Sequence, residues 1–232
     1  MKTLVLYLCL LCTLTAGPIV KKYNGLFMPI SEQSPNLFYL LINGQTIIGE
    51  DVRVKLDDED FVQAINETGS NKIYQLRTRG GMLTHNAIDS IKGQDQLRYL
   101  DLSNNKLVTD LACKKIALYF PRLVRLNLFN TGISNKGLTY LIDLQELKQL
   151  HVGQTDVTWD AANEFRGKME AIGGNDDLEI TTGFNKPALG SIKQGKFLRA
   201  TYQTNVIAGQ LNPYFKVGVA DEPAKSNEKY EE

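Results

Sequence analysis

The chain has 232 residues, and its 26 lysines and arginines are balanced by 26 aspartates and glutamates. That balance disfavours nucleic acid as a partner, since nucleic-acid binding needs a basic surface. A 43% apolar content is that of a folded chain long enough for one good core rather than of a disordered one.

The N-terminus reads as an address. Lys2 precedes an apolar run from Thr3 to Leu14, and Thr15, Ala16 and Gly17 offer small residues for cleavage. This is the pattern of a secretory signal peptide over residues 1–16, cleaved after Ala16. Extending the run to Val20, ahead of Lys21 and Lys22, gives a marginal signal anchor, the one route to a membrane. After cleavage Cys113 is the only cysteine left, so no intramolecular disulfide can form, and its helical apolar neighbours make it a small buried hydrophobe.

Residues 17–72 are expected to form an N-terminal cap of a β-hairpin and a helix. Leu37 to Ile42 and Thr46 to Leu56 are β-rich runs joined by Asn43 and Gly44, a strong hairpin turn pair. Asp57, Asp58, Glu59 and Asp60 then open a helix bearing Phe61, Val62 and Ile65. Acids at a helix start are favoured by capping and by the dipole; the spacing of a calcium loop is missing. Asn66 and Thr68 form an N-x-T sequon, a surface glycan site if the chain crosses a eukaryotic secretory pathway.

From Ile73 to Val157 one apolar pattern returns four times. Leu97, Leu100, Leu102, Asn105 and Leu107 spell L-x-x-L-x-L-x-x-N-x-L; Leu123, Leu126, Leu128, Thr131 and Ile133 follow it, as do Leu147, Leu150, Val152, Thr155 and Val157. A weaker copy precedes them in Ile73, Leu76, Thr78, Gly81 and Leu83, and the starts lie 24, 26 and 24 residues apart. In L-x-L both apolar side chains point to one face of a short strand. The Asn or Thr that follows sits where the chain leaves the strand, and the Asn105 amide is suited to bond turn backbone groups. Return helices are expected through Leu111, Ile116, Ala117 and Phe120, through Leu138, Leu141, Ile142 and Leu144, and through Trp159, Ala161, Ala162, Phe165 and Met169. One such unit cannot bury its apolar face alone, so neighbours must stack.

Thr131, Ile133, Ser134, Gly137, Leu138 and Leu141 match T-x-[IV]-[ST]-x-x-[GA]-[LA]-x-x-[LF], as do Thr155, Val157, Thr158, Ala161, Ala162 and Phe165. The chain thereby resembles the leucine-rich-repeat family, in the subtype met in F-box-associated repeats and exported bacterial repeat proteins. The resemblance covers residues 73–183. It implies an α/β fold, a leucine-rich-repeat solenoid of short parallel strands with return helices. Its members bind unrelated partners, so it implies little about function.

Beyond the repeats, Trp159 beside Val157 is expected to wedge between the last strand and a C-terminal cap. Leu178 to Thr182 adds one more short strand, residues 184–219 form an irregular cap, and residues 220–232 a solvated tail.

Catalytic and metal-binding patterns are missing. The two histidines, His85 and His151, belong to no H-E-x-x-H, and the chain has no phosphate-binding G-x-x-x-x-G-K-[ST] loop and no G-x-S-x-G elbow. No cofactor or metal site is expected, and His151 beside Asp101 and Asn127 is the only starting point for an enzyme. What remains is the outward face of the strands: Gln75, Arg77 and Arg79; Tyr99, Asp101 and Ser103; Arg125, Asn127 and Phe129; Gln149, His151 and Gly153. Of these, Arg77, Tyr99, Asp101, Arg125, Asn127, Phe129, Gln149 and His151 are the candidate partner-binding residues, because aromatics and arginine dominate interface hot spots. The expected function is a secreted or periplasmic interaction module, not an enzyme, whose concave sheet binds a protein or a cell-surface glycan. The alternative is a structural or accessory subunit whose caps or tail make the contacts.

Overall fold

The computed structural model describes residues 16–31, 34–48, 52–175 and 177–182, and the short strands at 198–199 and 218–219. Residues 1–185 form one compact unit and residues 186–232 a second. The first unit is a mixed α/β structure built on a mostly parallel seven-stranded sheet.

In chain order the elements are helix α1 (Pro18–Lys22), strands β1 (Leu26–Ser31), β2 (Ser34–Asn43), β3 (Gln45–Ile48) and β4 (Val52–Lys55), and helix α2 (Asp58–Glu67). Strand β5 (Lys72–Arg79), α3 (Ala87–Ser90), β6 (Tyr99–Asp101), α4 (Asp110–Tyr119), β7 (Arg125–Asn127) and α5 (Asn135–Tyr140) follow, the last extended by a 3-10 turn over Leu141–Asp143. Then come β8 (Gln149–His151), α6 (Trp159–Ala171) and β9 (Glu179–Thr181), and in the second unit β10 (Leu198–Arg199) and β11 (Gly218–Val219), which pair antiparallel.

The main sheet runs β1-β2-β5-β6-β7-β8-β9, parallel except for the antiparallel edge strand β1. Pro29 sits in β1, at the edge where a missing N–H does least harm. The inward residues Leu40, Leu76, Leu100, Leu126 and Leu150 stand in one row across the sheet and are all buried. Against them pack Phe61, Ile116, Leu138, Phe165 and Met169 from the helices, in one continuous core.

The turns after the strands explain the spacing. Asn105, fully buried, donates from Nδ2 to the carbonyls of Leu102 at 2.9 Å and Thr78 at 3.2 Å, and its Oδ1 accepts the Leu83 N–H at 3.4 Å. Thr131 and Thr155 stand at the matching positions and each reaches one carbonyl, of Leu128 and Val152. A second device recurs one residue earlier: Gly80, Asn104, Asn130 and Gln154 all have left-handed backbones, with φ of 81°, 62°, 55° and 56°. Gly80 donates its N–H to Ser103, Asn104 to Phe129 and Asn130 to Gly153, each reaching a carbonyl of the next turn. The helix starts are tied together as well. Asp58 accepts from the Thr84 N–H and hydroxyl, Asp110 from those of Ser134, and Asn135 from the Thr158 N–H.

Several expectations need correction. Asn43 and Gly44 do not make a hairpin: β2 ends at Asn43, and β3 pairs instead with β4 in a separate two-stranded sheet. Gly44 is required by a close approach, since a Cβ there would lie 2.1 Å from the Arg79 carbonyl oxygen. Residues 17–72 therefore supply two strands of the main sheet, with Leu40 and Ile42 aligned on Leu76 and Thr78. Leu107 is 48% exposed and its neighbour Val108 is buried, so the turn after β6 holds one residue more than those after β7 and β8. Leu111 on α4 is 50% exposed, outside the buried stripe of Ala112, Cys113, Ile116 and Ala117.

Other expectations agree with the structure. Asp57 caps α2 by accepting the Asp60 N–H at 2.9 Å, and residues 179–181 add the last strand. Cys113 is buried, and burial first, with Asp110 nearby, pushes its thiol up to about 12. Trp159 opens α6 and is 37% exposed, and the cap against which it was expected to wedge lies almost wholly outside the described residues. Residues 1–15 of the expected signal segment 1–16 and the tail lie outside them as well.

Candidate partner-binding face

Strand alternation turns every second residue of β5–β8 away from the helices, and the observed pairing places these side chains in two columns. The first is Gln75, Tyr99, Arg125 and Gln149, continued by Tyr39 and Glu179 at its ends. The second is Arg77, Asp101, Asn127 and His151, continued by Leu41 and Thr181. Neighbours within a column are about 5 Å apart. Seven of the eight candidate residues are thus brought onto one face; Phe129 lies beyond the end of β7 and is half-buried, not the exposed strand residue expected.

Asp101 departs from expectation in burial. It is 8% exposed, because two arginines from β5 fold over it: Nε of Arg79 donates to its Oδ2 at 2.9 Å, and Nε of Arg77 lies 3.5 Å from the same oxygen. Its Oδ1 accepts the Ser103 N–H at 3.1 Å. Ser103 is buried too, since β6 ends at Asp101 and the chain turns inward there. Asn127 repeats this turn, its Oδ1 accepting the Phe129 N–H at 3.0 Å.

In the first column the Arg125 guanidinium sits 5.1 Å from the ring centre of Tyr99, which in turn meets Tyr74 at 5.3 Å. Arg125 is exposed and pairs with no carboxylate among the described residues. Gln149 donates from Nε2 to Glu179 at 3.2 Å. Tyr99, Arg125, Gln149 and Glu179 line an open depression of about 700 Å³. His151 is half-buried; burial lowers its pKa and outweighs the opposing pull of Asp101 and Glu179, while Arg125 lowers it further, so the imidazole is neutral at neutral pH.

The face is an open polar sheet that presents arginines, amides and aromatics. Among the described residues no group of acids, histidines and cysteines could hold a metal ion, and no helix is long and apolar enough to cross a membrane. The outward position of Tyr39 and the half-exposed Arg79 were underweighted by sequence reasoning. Tyr39 falls in the β-rich run expected within the cap, and burial alternates there, with Leu40 and Ile42 buried and Tyr39 and Leu41 half-buried. Compared with models of known protein families and with curated proteins, the chain matches none.

Proposed function

We propose that the chain is an exported leucine-rich-repeat module, not an enzyme, whose open sheet face binds a protein or a cell-surface polymer. The observation that carries this reading is the in-line register of β5–β8 at a spacing of 24 to 26 residues, with the same inward leucine and the same left-handed turn residue each time. Stacked units of this kind bury their inner faces on one another and leave a continuous outer sheet for recognition. On that surface Tyr99 and Arg125 are of the types that anchor interfaces. Export follows from the apolar segment after Lys2, with membrane attachment only if that segment is an uncleaved anchor.

A second reading places the contact on the helical side of the repeats, where Leu111 and Leu118 stand exposed seven residues apart on α4. Affinity capture from the native source separates the two readings. A partner held by the unaltered chain and lost by the folded Arg125→Ala/Phe129→Ala variant supports the sheet face. Equal capture by both would refute it and move the contacts elsewhere.

A further inference from the structure

In the second column between β5 and β7, the acceptors of Asp101 and Asn127 are engaged from within the chain. Both oxygens of Asp101 are taken, by two arginines and the Ser103 N–H. The Asn127 Oδ1 is held by the Phe129 N–H, which leaves its Nδ2 group without a hydrogen-bond partner among the described residues. Arg77 and Arg79 engage Asp101 through Nε, so donors on the Nη side of each guanidinium are turned to other uses; the Arg79 side chain is 45% exposed. Arg125 adds a third guanidinium, held in place by the Tyr99 ring. Two cations thus engage one carboxylate whose side chain is 11% exposed, with the Asn127 amide on the next strand and Arg125 in the neighbouring column of β7.

The geometry points to a binding subsite for the carboxylates of an acidic peptide, formed by Arg77, Arg79, Asn127 and Arg125. It rests on the reading that this face binds a partner, and it names that partner's chemistry. Guanidinium forks match carboxylates through paired N–H···O bonds. Asp101 serves as a positioning residue: it fixes two flexible side chains before a ligand arrives, which lowers the ordering cost of binding. Arg125 aligns with Gln75, two residues before Arg77 and four before Arg79, so across two strand spacings its Cα lies about 12 Å from that of Arg77 and about 16 Å from that of Arg79. Two acidic residues four or five positions apart on an extended peptide span such distances, and Tyr99 flanks the path as an apolar contact.

The test is a fluorescence-polarisation titration of the full chain with labelled octaglutamate, with octaglutamine and a heparin fragment as comparisons. Octaglutamate is expected to bind and octaglutamine not to, with affinity falling as salt is raised. Arg79→Gln should weaken octaglutamate binding roughly tenfold, the loss of a charged hydrogen-bonding group. Lys168→Gln removes one positive charge from an exposed pair with Glu164 on α6, on the helical side, and should leave binding unchanged. Circular dichroism checks that both variants are folded. The inference is overturned by absence of octaglutamate binding, by equal weakening in both variants, or by affinity for the heparin fragment alone. If octaglutamate fails to bind while the Arg125→Ala/Phe129→Ala variant still loses its captured partner, the acidic-peptide subsite falls and the binding face stands.

Discussion

Replacing Asn105 with alanine should be among the most costly single changes in the chain. The side chain is fully buried and ties its own turn to the preceding unit: it donates to Leu102 after β6 and to Thr78 on β5, and it accepts from Leu83 in the turn after β5. Ser103 O also lies within 3.3 Å but already receives the Gly80 N–H, so it is not orphaned by the change. Two carbonyls and one weakly bonded N–H are then left buried without a side-chain partner, at about 1–2 kcal/mol each for the carbonyls. The expected loss is about 3 kcal/mol. Thr131, at the matching turn, makes a single bond to Leu128 at 2.7 Å, so Thr131→Ala should cost only about 1 kcal/mol. Asn105→Thr should recover part of the difference by restoring one carbonyl bond. Urea unfolding followed by circular dichroism measures all three, with an unchanged m-value as the check that the compared states are the same. Equal losses for Asn105→Ala and Thr131→Ala would refute the bonding account.

Val108→Ala should destabilise by about 2 kcal/mol while Leu107→Lys is close to neutral, because only the former is in the core; the reverse order in urea midpoints would restore Leu107 to the buried position. Gln154 holds φ of 56° without the help of a glycine or asparagine, so Gln154→Gly should raise stability by about 1 kcal/mol, read as a higher Tm. The Asp60 pKa is lowered even though burial works against it, because Lys22 and Tyr23 hydrogen-bond its carboxylate. With the folded value below the unfolded one, its contribution is complete above about pH 4 and is lost as pH falls through the folded value. Asp60→Asn should therefore flatten the acid limb of a stability–pH profile below about pH 4; an unchanged limb would count against it.

How much of this was legible in sequence depended on whether a position answers to one constraint or several. Leu76, Leu100, Leu126 and Leu150 answer to burial alone, and alternation placed them correctly, as it placed the two outward columns. Asp101 also faces outward by alternation, but its burial is set by arginines two positions apart on another strand, which no local pattern reveals. Leu107 and Val108 are both apolar, and the one-residue difference in turn length was hidden in the longer 26-residue step. At Asn43 and Gly44 a local turn preference competed with the parallel pairing of β2 on β5, and the longer-range pairing prevailed. The left-handed row of Gly80, Asn104, Asn130 and Gln154 had a signal, in that three of its four residues are glycine or asparagine, but the glutamine concealed it.

The departure at Gly44 also bears on how the chain can be rebuilt. The Leu56 N–H donates to the Gly44 carbonyl at 2.8 Å, so the chain leaves and rejoins at nearly one point. Strands β3 and β4, which lie between these two residues, pair with each other, and the base of that pair is already closed. Residues 45–55 are in that sense a cassette: a short linker can replace them without stretching the backbone, and a foreign loop can be grafted there at small closure cost. The place where strand β2 hands over to helix α2 is thus a natural port for insertion, at the border of the face on which recognition is proposed.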